Sequence, residues 1–165
     1  MKRGLVGVVC CLAICMGCES TGPAHLAEAV SAPCDWQGAR WIGDGLPQPE
    51  RDEDFYKDDP APIFRRRFPV TKKVDVARLH VVGLGLYAAS LNGVPLHDGL
   101  APLWTPFGAR VLYDTYDVSK AVQRGDNEIR IELGNGWYNP LPLRMWGRFN
   151  LRAVLTVGRP CLIAK

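Results

Sequence analysis

No apolar run in this sequence is long enough to cross a bilayer as a helix, which takes about 20 consecutive apolar residues. The uncharged run Leu5 to Met16 falls short of that length. Helical periodicity is missing as well: beyond the first eighteen residues no stretch keeps apolar positions on one helical face for three turns, which argues against a helical bundle. Histidine is scarce. His25, His80 and His97 fall in a tether, a strand and a position after a hairpin, without the spacing of metal ligands. No glycine-rich loop opens a helix to cradle phosphate, and neither Ser90 nor Ser119 has a general base nearby in sequence. Charge of one sign is also lacking. The formal net charge is +3 and falls to about +1 without Lys2 and Arg3, so no nucleic-acid or acidic-lipid partner is expected.

The six cysteines are unevenly placed, with Cys10, Cys11, Cys15 and Cys18 inside the first eighteen residues. A basic start at Lys2 and Arg3, a short apolar run and a small residue before cysteine at Gly17-Cys18 describe an export signal with a lipobox. Residues 1–18 are therefore expected to be a lipoprotein signal ending at a lipidated Cys18, although Cys15 replaces the usual aliphatic residue and an ordinary signal peptide is the alternative. Residues 19–35 are expected to be a tether, small and polar. Glu19, in place of the aspartate typical of inner-membrane retention, favours an outer-membrane address within an expected outer-membrane or periplasmic localisation. Cys34 and Cys161 are left either to bridge in an oxidising compartment or to remain two thiols.

What is abundant is glycine and proline, 17 and 13 residues, spread along the chain as short strands with tight turns require. Ile129, Ile131 and Leu133 alternate with Glu128, Arg130 and Glu132, the period of a half-buried strand. Leu79 and Val81 alternate with Arg78 and His80 before Gly83 and Gly85 break the run as a bulge or sharp bend would. Leu86 to Leu91 resumes, and Asn92-Gly93 before Val94 predicts a two-residue hairpin. Phe64 to Val70 suits a strand with one charged face, its three arginines solvated or, alternatively, a basic binding patch. Val111 to Tyr116 is a further strand, and Asp117 to Gln123 reads as one helical turn capped by Asp117. The sum is an all-β, antiparallel β-sandwich.

Several motifs then follow in order: Gly85-Leu86-Tyr87, Leu91-Asn92-Gly93, Ala101-Pro102-Leu103-Trp104-Thr105, Tyr113-Asp114-Thr115-Tyr116-Asp117-Val118, Gly125-Asp126-Asn127 and Leu133-Gly134-Asn135-Gly136-Trp137-Tyr138. With Trp36, Trp41-Ile42 and Phe64-Arg65-Arg66-Arg67-Phe68 ahead of them, this series resembles the N-terminal domain of bacterial α-L-rhamnosidases over residues 36–165. The resemblance implies a jelly-roll sandwich of galactose-binding-like type, incomplete at its C-terminal end, that helps recognise substrate. It also implies that the general acid and base lie on an (α/α) barrel that begins after Lys165. The chain is thus expected to be a carbohydrate-binding module for rhamnosylated glycans, inactive alone. The alternatives are the front end of a full-length glycosidase and a noncatalytic structural lipoprotein.

Paired carboxylates are the signature of glycoside hydrolysis. Here Asp52-Glu53-Asp54 and Asp58-Asp59 read as a solvated, proline-rich loop, and Asp114 and Asp117 as turn and cap residues. Sugar recognition instead asks for aromatic faces beside fixed amides. Trp104 and Trp146 are the foremost candidates, in loops bordered by glycine and proline. Trp137 and Tyr138 are candidates too, though expected to cap the core. Asn92 completes the candidate carbohydrate contacts. Asn92, Asn135 and Asn139 are oxygen donors suited to the calcium that some related modules use, and no other cofactor is expected.

Overall fold

The computed structural model describes residues 5–9, 34–145 and 149–165. The lipidation candidate Cys18, most of the expected tether and Trp146 lie outside them. Eleven strands are described: β1 (Leu5–Val9), β2 (Ile42–Gly43), β3 (Ile63–Val70), β4 (Arg78–Leu84), β5 (Leu86–Leu91), β6 (Val94–Pro95), β7 (Val111–Asp117), β8 (Gly125–Gly134), β9 (Arg144–Met145), β10 (Phe149–Asn150) and β11 (Cys161–Ala164). Only two short 3-10 turns, Asp52–Tyr56 and Leu151–Ala153, add helical structure among the described residues.

Two antiparallel sheets face each other, one ordered β1-β7-β4-β11-β2 and the other β3-β8-β5-β6, with β9 and β10 as a small separate ribbon. The alternation of β8 decides which face is buried: Asn127, Ile131 and Leu133 turn inward, while Arg130 and Glu132 stay partly exposed. Between the sheets lie Val81, Tyr87, Ala89, Leu91, Tyr116, Val118, Ile131, Leu133 and Leu162. Each such large apolar side chain contributes about 1.5–3 kcal/mol on burial, less its ordering cost.

The expected bend at Gly83 and Gly85 is a corner. β4 belongs to one sheet and β5 to the other, and Gly85, at φ 137°, is the residue at which the chain changes layers. Asn92 at φ 52° and Gly93 at φ 77° form the expected two-residue hairpin, with Leu91 opposite Val94. Asp117 does cap its turn, since its Oδ1 accepts from the Ser119 amide at 3.0 Å.

The outer face of the first sheet is covered too. Trp36 packs edge-on against Tyr113 at 5.8 Å, and Cys34 and Ala39 lie over Val82 and Ile163. Of the open alternatives for Cys34 and Cys161, the structure has two free thiols, both held above their ordinary pKa by burial.

Two carboxylate readings need correction. Asp114 is not a turn residue: it sits inside β7, 5% exposed, facing the core. Asp59 is not simply solvated, because Arg159 donates to its two oxygens at 2.8 and 2.9 Å and to Asp44 at 2.7 Å. Asp54 is not simply solvated either: it is half-buried in the Asp52–Tyr56 turn, and Arg51 and Lys57 beside it lower its pKa to about 2.

Candidate functional site

At one end of the sandwich, β5 begins and β8 ends, and three loops meet. The segment after Leu100 is tied to the core strand by a two-way bridge: the Tyr87 amide donates to the Ala101 carbonyl at 2.6 Å, and the Ala101 amide donates to the Tyr87 carbonyl at 3.0 Å. Its far end closes on itself, with Ala109 and Arg110 donating to Pro106 and Thr105 Oγ1 to the Arg110 carbonyl. Between these two fixings stands Trp104.

The second loop continues β8. Its turn is closed by the Asn139 amide on the Asn135 carbonyl at 3.1 Å and by Asn139 Nδ2 on Asn135 Oδ1 at 2.8 Å. Gly136 adopts φ 51° and lies so close to Leu86 that an added Cβ would stand 2.9 Å from its side chain and its amide nitrogen. Asn139 itself is 4% exposed; its Oδ1 accepts from Gln48 Nε2 at 2.6 Å and from Arg152 Nη1 at 2.9 Å. Arg152 also donates to the Pro140 carbonyl and lies over the Phe55 ring at 4.1 Å. Tyr138 packs edge-on against Phe107 at 5.4 Å, joining the first loop to the second, and its carbonyl receives the Gly158 amide of the third.

This scaffold holds Trp137 and Trp104 side by side, ring centroids 6.3 Å apart and planes tilted by 56°. Both remain about half exposed, 49% and 47%. The expectation that Trp137 caps the core is therefore corrected. Past Gly134 the strand's alternation ends, and the turn directs the indole outward to its neighbour. Tyr138 is half-buried, as expected of a residue that supports the loop. Two exposed indoles on anchored backbone offer a rigid apolar platform for the flat face of a ring, at little ordering cost.

The other named residues do not all gather here. Asn92 stands at the opposite end of β5, about 20 Å of strand away. Its Nδ2 donates to the Ala121 carbonyl and Asn127 Oδ1, and its Oδ1 accepts the Glu128 amide, so the hairpin uses its whole amide group. Asn92, Asn135 and Asn139 therefore do not converge as ligands of one calcium ion, and the Asn139 oxygen already faces a guanidinium. Among the described residues no cluster of three His, Cys, Asp or Glu groups is placed to hold a metal.

Two features of the region escaped sequence reasoning. Beneath the first loop, the Tyr87 hydroxyl donates to Asp114 Oδ2 and lies 3.0 Å from the Tyr116 hydroxyl, while the His97 ring stacks on Tyr116 at 5.5 Å. Burial raises the pKa of Asp114 and of both phenols. Beside the second loop, a cleft of about 240 Å3 of mixed character is lined by Asn135, Asp59 and Arg159 on the polar side and by Leu46, Phe55 and Leu141 on the apolar side. The alternation that puts Asp114 and Tyr116 on one face of β7 signals the first; the second joins residues about a hundred positions apart and leaves no local signal.

Comparison with known proteins places the chain in a family. Residues 72–164 match the family model described as the alpha-L-rhamnosidase N-terminal domain. An alpha-L-rhamnosidase of Streptomyces avermitilis is 48% identical over 68 residues, 41% of this chain and 7% of that one. One from an Alteromonas species is 31% identical over 118 residues, 70% of this chain and 13% of its own. Among solved structures, the native α-L-rhamnosidase of Aspergillus terreus superposes with a TM-score of 0.63 at 26% identity, over 81% of this chain and 14% of that one. The Streptomyces avermitilis enzyme, solved in complex with L-rhamnose, gives 0.54 at 38% identity over 64% and 10%. The chain thus spans about a tenth of the length of these proteins.

Proposed function

The chain belongs to the family of α-L-rhamnosidase N-terminal domains, and on that premise we propose that it serves as a carbohydrate-recognition module for rhamnose-containing glycans, reading them at the Trp104–Trp137 platform. The observation that carries this reading is the pair of half-exposed indoles, 6.3 Å apart, on loops fixed from below by Tyr87 and Asn139. A 6-deoxy sugar suits such a platform because its methyl group enlarges the apolar face that stacks on an indole, each ring contributing about 1 kcal/mol beyond simple burial. One or two such contacts give millimolar affinity, about 4 kcal/mol in all. Hydrolysis by the longer protein in which such a domain resides would be carried out by groups on another domain.

The test is a titration of L-rhamnose and of a rhamnosylated oligosaccharide into the full chain, followed through tryptophan fluorescence, with and without calcium. Saturable quenching by rhamnosides and none by glucose is the expected result. No response to any rhamnoside at tens of millimolar removes the proposal and leaves a structural lipoprotein as the better account. Attachment to a membrane through a lipid on Cys18, at the outer membrane or elsewhere in the periplasm, is proposed on the Lys2, Arg3 and Gly17-Cys18 pattern alone.

A further inference from the structure

The alternation that sends Val81 and Leu162 into the core turns Val82 and Ile163, paired across β4 and β11, to the other face of that sheet. There they are still only 3% and 7% exposed, because more of the chain lies over them. Trp36 stands edge-on to Tyr113 at 5.8 Å and to His80 at 6.4 Å. Beside it the cover leaves a groove of about 350 Å3. Trp36, Trp41 and Phe107 give the groove its aromatic surface, Val82 and Ile163 reach its floor, and Arg110 is the only charged residue that lines it.

Arg110 is held at its backbone and open at its side chain. Its amide donates to the Pro106 carbonyl at 3.0 Å and its carbonyl accepts Thr105 Oγ1 at 2.8 Å, while the side chain is exposed and has no carboxylate partner among the described residues. Aromatic rings and one unpaired guanidinium make two demands of an occupant. The rings favour a body with an apolar face, and the guanidinium favours a carboxylate, which it meets with two parallel N–H donors. A uronic acid answers both, since its pyranose ring has a face of C–H groups and its carboxylate stands at one edge. An uncharged sugar leaves the guanidinium to water, and an anion without a ring forgoes the stacking. The volume of the groove is that of an ordinary small-ligand site.

We propose that this groove is a second carbohydrate site, which takes an acidic pyranose with its ring against Trp36, Trp41 and Phe107 and its carboxylate on Arg110. The rings give affinity for a pyranose of either kind, and Arg110 selects the acid. The site uses neither Trp104 nor Trp137, so it and the rhamnose reading stand or fall separately.

The probes are methyl β-D-glucuronide and methyl β-D-glucoside, which differ only in the carboxylate, with benzoate as a ringed acid that is not a sugar. Each is titrated into the full chain and followed by chemical-shift changes of the Trp36 and Trp41 indole N–H groups. The glucuronide should bind in the millimolar range, about tenfold tighter than the glucoside. Arg110→Gln, at an exposed position, should abolish that preference, and Arg110→Lys, which keeps the charge without the fork, should restore part of it. Trp41→Ala should weaken both pyranosides about fivefold, and Trp104→Ala should leave glucuronide binding unchanged. No binding of the glucuronide at tens of millimolar, equal binding of the two pyranosides, or a preference unchanged in Arg110→Gln would overturn the proposal. So would benzoate binding as tightly as the glucuronide, since the groove would then be a site for aromatic acids. Loss of glucuronide binding in Trp104→Ala would overturn it as well, since the platform would then be the site.

Discussion

The Tyr87 hydroxyl lies 2.5 Å from Asp114 Oδ2, donating across the core from one sheet to the other, while the Tyr87 backbone holds Ala101 at the base of the Trp104 loop. A buried carboxylate and an exposed indole are thereby joined through a single residue.

Burial raises the Asp114 pKa above its ordinary value, so the folded protein holds that proton more tightly than the unfolded chain does. The stability this contributes is complete below the unfolded pKa of about 3.9 and declines as pH rises through the raised folded value. Asp114→Asn has no such proton. The stability difference between wild type and Asp114→Asn, read from denaturant unfolding, should therefore shift against the wild type as pH climbs from 4. A pH-independent difference would mean the carboxyl titrates as it does in water.

Trp104→Ala and Trp137→Ala should each cost about 1 kcal/mol of stability, because an indole that is half exposed loses mainly its partner ring. Each should nonetheless remove the fluorescence response to rhamnosides. Unfolding of either variant at room temperature would show that the rings support the fold rather than a ligand.

Gly136→Ala acts on the same platform indirectly. At φ 51°, with Leu86 2.9 Å from the new Cβ, the turn must move, at a cost of about 2 kcal/mol. The expected outcome is a lower melting temperature together with at least tenfold weaker rhamnoside binding, since the displaced turn carries Trp137.

Arg159 binds Asp44 and Asp59 together, and its hydrogen bonds lower the Asp44 pKa. That stability is present above the unfolded pKa of about 3.9 and is lost as pH falls through the lowered folded value. Arg159→Gln should cost about 2 kcal/mol at pH 7, since breaking a largely buried pair strands a carboxylate, and the deficit should shrink toward pH 3. Equal losses at both pH values would point to packing rather than charge.

Lipidation at Cys18 is checked by feeding cells an alkyne-bearing fatty acid. The wild type should be labelled and Cys18→Ser should not; equal labelling would remove the anchor.

The strands were legible wherever one face is buried and the other wet. Ile129, Ile131 and Leu133 announce β8 because each successive side chain must choose core or solvent, and Asn92-Gly93 announces its hairpin because few residues accept φ above zero. The site was legible in composition but not in orientation. Trp137 follows the last alternating residue, so no period assigns it a face, and a buried cap and an exposed platform look alike in sequence. Asp114 looks like a turn former because its acceptor role in the core depends on Tyr87, 27 residues earlier. Arg159 and Asp44, 115 residues apart, meet only once the sheets are in place.

The pairing of β2 carries a consequence for the order of assembly. Ile42–Gly43 hydrogen-bonds to β11 and to no other described strand, so an early part of the sheet waits for Cys161 and Leu162. At about 5–20 residues per second, synthesis of the intervening chain takes about 6–24 s. Through that interval β2 has no strand partner among the described residues, although Trp36 can already dock on His80 and Tyr113. β2 is thus made before every strand from β3 to β10, yet it finds its partner only after all of them.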